Sequence, residues 1–253
     1  MDRFAECHVI TAGHEGGWSN HKDDPGAATM LGVTQAKFTE MLKKWGKPNR
    51  SVRTITRDEA LRIYREEYWD KCGAPTLFPG VDLAVYDASV NSGIGRGRKW
   101  RDQTVSIKDA VSRVKAICKA RLSFMQSLKI WKTFGKGWGR RVADIEVKGV
   151  AMALKALGAS TADIKVRAQA ESKAAAATAA VGKKTEKAVA SGGGVSTGGA
   201  ATVAAETGIN TEMLLLLGAL GVALIAALII INVRRRANDE RSTAYAALAS
   251  EAV

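Results

Sequence analysis

Apolar residues recur at helical spacing along most of the first 158 positions, and they predict where secondary structure lies. The first apolar stripe is formed by Phe4, Cys7, Ile10 and His14. It predicts a helix that runs up to Glu15 and stops at the Gly16-Gly17 pair. Residues 16–33 lack helical periodicity and are rich in Gly, Asp, Asn and Pro, which predicts turns and a small β-hairpin.

Five further helices are expected before position 158. Their signals are a cap at Thr34 with a closing Gly46, the Thr56-x-x-Glu59 capping box, the apolar face of residues 81–91, a second capping box at Ser106-x-x-Asp109, and the pattern at residues 138–157. We therefore predict a mainly helical α+β domain in which one small irregular or β element lies next to Glu15.

Composition divides the chain into five regions. Residues 1–92 are mixed helical and irregular, 93–158 are basic and helical, 159–212 are of low complexity, 213–232 are apolar, and 233–253 form a short tail that starts with arginines. The low-complexity region is mostly Ala, Gly, Ser, Thr and Lys, so it predicts a linker. As flexible coil its 54 residues would span roughly 40 Å root-mean-square, and partial helix in the Ala-rich stretch 162–190 is the alternative, which would lengthen that reach.

The apolar region predicts a single transmembrane helix. Residues 213–231 are nineteen uncharged residues, which as a helix would measure about 28 Å. Arg234-Arg235-Arg236 follow, and the positive-inside rule places them in the cytoplasm and the N-terminal part outside. The first residues contain no apolar run typical of a secretory signal, so the route of export is left open.

Charge indicates an anionic partner. The net charge is +13, and between Arg96 and Arg141 fourteen Lys/Arg stand against two acidic residues. Such density favours a polyanion such as nucleic acid, anionic lipid or a wall polymer, while a merely solvated face is the alternative. The three widely spaced Cys predict buried free thiols rather than a disulfide framework or a zinc site.

The segment from His14 to Thr34 carries the candidate chemistry. Glu15 follows an apolar helix, where the pKa of a carboxyl can be raised so that it remains an acid near neutral pH. Asp24 in a polar loop would stay ionised, and Thr29 could hold a water molecule. This set suits glycosidic cleavage, which needs a proton donor and a second group that stabilises charge or aims water. Trp18 and Asn20 are the candidate sugar contacts between them.

Other interpretations use the same segment. His14-Glu15 would begin a zinc-protease His-Glu-x-x-His motif, but position 18 is Trp and the glycines break the helix. A metal site formed by His8, His14 and His21 is a weaker alternative. The Asp23 to Gly26 stretch could also be a plain surface turn.

These motifs resemble the glycoside hydrolase family 108 muramidases, which are lysozyme-like proteins of phages and bacteria. The resemblance is carried by Glu15-Gly16-Gly17-Trp18, Asn20, Asp24-Pro25-Gly26, Thr29, Gly32-Val33-Thr34, Tyr64-x-x-x-Tyr68-Trp69, Ala84-Val85-Tyr86-Asp87-x-x-Val90-Asn91-x-Gly93 and Phe134 to Val142. The last run resembles the end of a small peptidoglycan-binding domain. The match covers about residues 5–155. Gly26-Ala27 departs from the Gly-Gly common in the family.

The resemblance implies a lysozyme-like catalytic domain at 1–92, a peptidoglycan-binding subdomain at 93–158, and hydrolysis of the β-1,4 bond of peptidoglycan without metal or cofactor. Glu15 would be the proton donor, Asp24 would stabilise charge or orient water, and Thr29 would position that water. In phage-type lysozymes the Asp-to-Thr spacing is one residue longer, which leaves the last two roles less certain.

Further candidate contacts lie beyond the motif. Asp87 and Asn91 share a helical face beside Tyr86 and could bind sugar or peptide; a polar pair that caps a neighbouring element is the alternative. Trp100, Trp131 and Trp138 could bind glycan or belong to the core. The Trp-bearing region thus offers both a binding and a packing interpretation.

The expected setting is a phage or prophage endolysin at the bacterial inner membrane, held there by residues 213–232, acting on the periplasmic wall and helped indirectly by a holin. The alternatives are a bacterial wall-remodelling muramidase, a non-catalytic membrane-anchored wall-binding protein, and a nucleic-acid binder. The last has only the charge in its favour, so no nucleic acid is expected as a partner.

Overall fold

The computed structural model describes residues 2–14, 28–192 and 211–251, with side chains described for all of these except 188–192 and 211–226. The chain divides into two compact units, Met1–Ser160 and Thr161–Val253. Each unit is built almost entirely from helices over its described residues. For the first unit this confirms the predicted mainly helical domain.

The first unit contains seven α-helices among its described residues. They are α1 (Phe4–Ala12), α2 (Gln35–Lys44), α3 (Arg57–Tyr64), α4 (Val81–Ser92), α5 (Ile94–Gln103), α6 (Ala110–Gln126) and α7 (Trp131–Ala156). Strands β1 (Thr29–Met30) and β2 (Val33–Thr34) pair antiparallel as a small hairpin. Short 3-10 turns lie at Val52–Thr54 and Ala74–Thr76, and a π-helical turn continues α3 at Arg65–Trp69.

Local capping signals explain where α2 and α3 begin. The Thr34 hydroxyl accepts a hydrogen bond from the Lys37 amide at 3.3 Å, so the predicted cap is confirmed. Thr56 and Glu59 exchange the two reciprocal bonds of a capping box, at 3.2 and 3.1 Å, which confirms the second prediction. These contacts satisfy amides that a helix start would otherwise leave without partners.

Helix α4 is the centre of the first unit. Its residues from Val81 to Ser89 are all buried, because α1, α6, α7 and the π-helical turn pack around it. The sequence predicted an apolar-faced helix at 81–91, and the helix is confirmed. It is enclosed on all sides rather than on one face, which explains why Asp82 and Asp87 need internal partners.

Three helix boundaries differ from the sequence prediction. Helix α1 ends at Ala12 rather than at Glu15, with Gly13 as its C-cap. Helix α6 is capped by Asp109, whose carboxylate accepts from the Ser112 amide at 2.7 Å, so the predicted cap at Ser106 is wrong. Asp caps well on its own and does not need the box. Helix α7 begins at Trp131, seven residues before the predicted 138.

A glycine pair lets α4 and α7 approach closely. Gly80 has a positive φ of 85°, and a Cβ there would overlap the carbonyl oxygen of Gly149. We expect Gly80→Ala to lower the free energy of unfolding by about 3 kcal/mol, measured by urea denaturation, through backbone strain and the collision together.

Gly46→Ala is the matched control, since Gly46 also has a positive φ of 67° but nothing within 4 Å of the added Cβ. It should cost only about 1 kcal/mol. Equal losses in the two variants would contradict a close contact at Gly80.

The second unit contains the helices α8 (Thr161–Gly192) and α9 (Thr211–Glu251), which pack against each other antiparallel. The seam is lined by small residues seven and four positions apart, together with one aromatic ring. The buried members are Ala168, Ala175, Ala179, Tyr245 and Ala249. Ser172 donates to the Ser242 carbonyl at 3.0 Å, and Glu186 accepts from Asn232 and Arg235 at 2.8 and 3.1 Å.

The low-complexity region therefore differs from the predicted linker. Residues 161–192 form a helix with a packing partner, and 233–251 belong to α9 rather than to a free tail. Alanine has the highest helix propensity and packs closely in an antiparallel pair, so low sequence complexity does not prevent a packed seam here.

The predicted transmembrane helix at 213–232 gains no support. Its residues 213–226 lie outside those with described side chains. Within the part of the chain that the structure does describe, no helix combines the length and the apolar character needed to cross a bilayer.

Candidate active site

The described residues place both ends of the segment that carries the candidate chemistry. Glu15, Trp18, Asn20 and Asp24 lie outside the described residues. The chain is fixed before them at His14 and after them at the hairpin of β1 and β2. The structure therefore defines the residues on either side of the candidate catalytic residues, up to His14 and from Ala28 onward.

Two hydrogen bonds fix His14 at the start of this segment. Beyond the end of α1 its amide donates to the Thr11 carbonyl at 3.1 Å. Its Nε2 lies 2.8 Å from Oδ2 of Asp144 on α7, and Lys148 donates to the same oxygen at 2.9 Å. Burial raises the pKa of Asp144, but the hydrogen bonds from His14 and Lys148 outweigh it and hold the pKa below its ordinary value. The carboxylate is an acceptor, so Nε2 of His14 is the donor.

The hairpin of β1 and β2 fixes the chain at residues 29–34. Thr29 faces Thr34 across the two strands, and Met30 faces Val33. The turn between them has positive φ at Leu31 (51°) and Gly32 (73°), the pattern of a two-residue type I′ hairpin. Tyr64 of α3 donates to the Leu31 carbonyl at 3.2 Å. Thr29 therefore lies, partly exposed, on a strand whose turn is fixed by Tyr64, two residues after the undescribed stretch 15–27.

An aromatic cluster packs α1 against α3, α4 and the π-helical turn. His8 lies 4.7 Å from the Tyr64 ring between centroids, and its Nδ1 is 2.8 Å from the Tyr86 hydroxyl. Phe4 and Trp69 pack edge-on against each other and against Tyr86. Burial lowers the pKa of His8, so the imidazole is neutral near neutral pH. The cluster fixes the direction in which α1 points.

Tyr86 and Asp87 do not offer surface to a substrate. Both side chains are fully buried, so their prediction as sugar contacts is not supported by the structure. Arg121 donates to Asp87 at 2.6 Å, and Arg141 does so at 2.8 Å. Burial raises the pKa of Asp87, but the two guanidinium groups outweigh it and hold the pKa below its ordinary value. The alternative, a polar group that joins neighbouring elements, describes Asp87 better.

Asn91 is partly exposed near the end of α4. Its Oδ1 accepts from Arg121 at 2.8 Å, which fixes the amide orientation and points its NH2 donor away from Arg121. Asn91 stays a candidate substrate contact. It shares a helical face and the partner Arg121 with Asp87, but Asp87 is buried whereas Asn91, one turn later, is partly exposed.

The remaining candidates divide between core and surface. Trp100 is buried, whereas Trp131 and Trp138 are partly exposed. Trp138 stacks on the half-exposed Phe134 and makes a tilted contact with Trp131. Of the three histidines considered for a metal, His8 and His14 contact Tyr86 and Asp144, and His21 lies outside the described residues. No group of three metal-binding side chains occurs in the part of the chain that is described.

The contact between His14 and Asp144 was not predicted from the sequence. The two residues are separated by 130 positions, and neither local pattern nor spacing links them. The one available signal was that a histidine immediately precedes the candidate acid.

Comparisons with known proteins define the class of the chain. The family model described as glycosyl hydrolase 108 matches residues 9–93. A solved structure, SagA of Brucella abortus, is 32% identical over 59% of this chain and 95% of its own chain, with a TM-score of 0.51. None of the curated protein sequences matches. The chain is a glycoside hydrolase.

It belongs to the glycosyl hydrolase 108 family. The matched range contains the Glu15 to Thr34 segment, α2, α3 and all of α4, which agrees with the resemblance seen in the sequence motifs.

Proposed function

We propose that the protein is an N-acetylmuramidase that hydrolyses the β-1,4 bond between N-acetylmuramic acid and N-acetylglucosamine in peptidoglycan. The observation that carries this proposal is the family match over 9–93, because it spans the whole Glu15-to-Thr34 motif. Glu15 donates a proton to the leaving oxygen, and Asp24 stabilises developing charge or orients water.

Thr29 is proposed to position the water molecule. Its strand is held at the turn by Tyr64, which limits how far the hydroxyl can shift relative to the rest of the unit. Catalysis by positioning demands this kind of constraint, since small displacements of a reacting group lower the rate steeply. Asn91, with its amide oriented by Arg121, is proposed as a contact to the glycan.

The bond that is cleaved can be identified by mass spectrometry of purified walls after digestion. Products with a reducing-end muramic acid support the proposal. Products with a reducing-end glucosamine would make the protein a glucosaminidase, and free amide ends would indicate an amidase. A wall-binding protein without activity would release no product above a boiled-enzyme control.

We further propose that the enzyme serves host lysis as a phage or prophage endolysin attached to the inner membrane and facing the periplasmic wall. The support is the apolar sequence at 213–231 and the resemblance to phage enzymes. The full chain should stay with membranes after alkaline carbonate extraction, and a chain ending at 212 should be released. Release of both would reject the attachment. Lysis of the producing cell only when a holin is co-expressed would support the endolysin role over wall remodelling.

A further inference from the structure

The structure contains one long-range contact at the entrance to the catalytic segment. His14 is the last described residue before Glu15, and its Nε2 lies 2.8 Å from Oδ2 of Asp144. Asp144 lies near the middle of α7, which is packed against α4 and α6. His14, the residue before Glu15, is thereby attached to a helix that packs against α4 and α6.

The hydrogen bond between His14 and Asp144 is short, and we expect the fold to form without it. Its length is typical of a charge-assisted hydrogen bond. His14 and Asp144 are 23% and 28% exposed, so the pair lies between a surface ion pair, which adds little stability, and a fully buried one. Helix α1 has other attachments, since Arg3 is bonded to buried Asp82 at 2.7 Å and His8 lies against Tyr86. Loss of the His14 contact should free the end of α1 without unfolding it.

We infer that His14 and Asp144 are positioning residues that fix the backbone at Glu15. The inference rests on the proposed function of Glu15 as the acid. Helix α1 ends at Ala12, two residues before His14, and the described attachment of His14 to the rest of the unit is its side-chain bond to Asp144. A side-chain bond at position 14 then sets where the next residue starts, and an error of about 1 Å at a reacting group can cost about 100-fold in rate.

The experiment compares two substitutions of His14 in the full chain. Glutamine places an amide nitrogen near the position of Nε2 and can still donate to Asp144, whereas leucine cannot. We expect His14→Leu to lower kcat on purified walls by about 10- to 100-fold with KM within about threefold. His14→Gln should recover most of kcat. Both variants should melt within a few degrees of the unchanged protein.

A double-mutant cycle tests the pair itself. Asp144→Leu should lower kcat about as much as His14→Leu, and the double variant should be no worse than either. Lys148→Met is the matched control, because Lys148 bonds to the same Asp144 oxygen but is not joined to the catalytic segment. Its kcat should stay within about twofold.

The outcomes separate this inference from the proposed function. If Glu15→Gln is inactive while the His14 and Asp144 losses are additive, or while Gln and Leu at position 14 are equally impaired, the positioning role is rejected and the acid assignment stands. If Glu15→Gln keeps full activity, the acid assignment itself fails, and with it the reason for the pair.

Discussion

Glu15→Gln is expected to lower the rate of glycan cleavage by about 10³-fold or more. Glutamine has nearly the same shape as the acid but cannot give a proton to the leaving oxygen, and general acid catalysis contributes about 10²- to 10⁴-fold. The measurement is the initial release of reducing ends from purified walls, with circular dichroism to show that helix content is unchanged.

Glu6→Gln is the matched control for this substitution. Glu6 lies on α1, is 56% exposed, and forms an i,i+3 ion pair with Arg3. Its activity should be that of the unchanged protein. Full activity of Glu15→Gln on the same walls would refute the assignment, and a loss in both variants would point to a general effect of removing a negative charge.

Asp87→Ala is expected to lower the free energy of unfolding by about 3 to 5 kcal/mol. The carboxylate lies fully buried between Arg121 and Arg141, which are themselves 1% and 8% exposed. Removing it leaves two guanidinium groups in the interior without their counter-charge, and breaking a buried pair on one side costs about this much. The loss should appear in urea denaturation of the full chain.

Asp102→Ala provides the comparison. Asp102 is 63% exposed and pairs with Arg101 at 2.8 Å, so its loss should leave the urea midpoint almost unchanged, since exposed ion pairs add little stability. If Asp87→Ala were as mild, the two arginines would have to find other partners, and the view of Asp87 as the joint between α4, α6 and α7 would be wrong. A stable Asp87→Ala protein with impaired wall binding would instead restore the earlier prediction of a substrate contact.

Local signals made part of the fold predictable. The Thr34 cap and the Thr56–Glu59 box act within three residues, so the sequence contains all of their partners. The β-hairpin expected within residues 16–33 is present at Thr29–Thr34, for the same local reason that Gly32 permits a positive φ.

Long-range partners made the rest unpredictable. Asp87 was assigned to the substrate because its partners Arg121 and Arg141 lie 34 and 54 residues later. The His14–Asp144 contact was missed for the same reason. The alanine-rich region was taken for a linker because a single helix shows no large apolar stripe. Its packing requires the second helix, which contributes Tyr245 to the seam.

Because α8 is a helix packed against α9, its end-to-end distance depends on its number of residues in a different way from that of a flexible coil. A coil of 32 residues would adopt a broad distribution of end-to-end distances that grows only as the square root of its length. As a helix, α8 measures about 48 Å, and each residue inserted adds about 1.5 Å. The end-to-end distance of residues 161–192 is therefore fixed by the number of residues in the helix. A deletion of seven residues would shorten it by about 10 Å while keeping the same face towards α9, whereas a deletion of five would turn that face away.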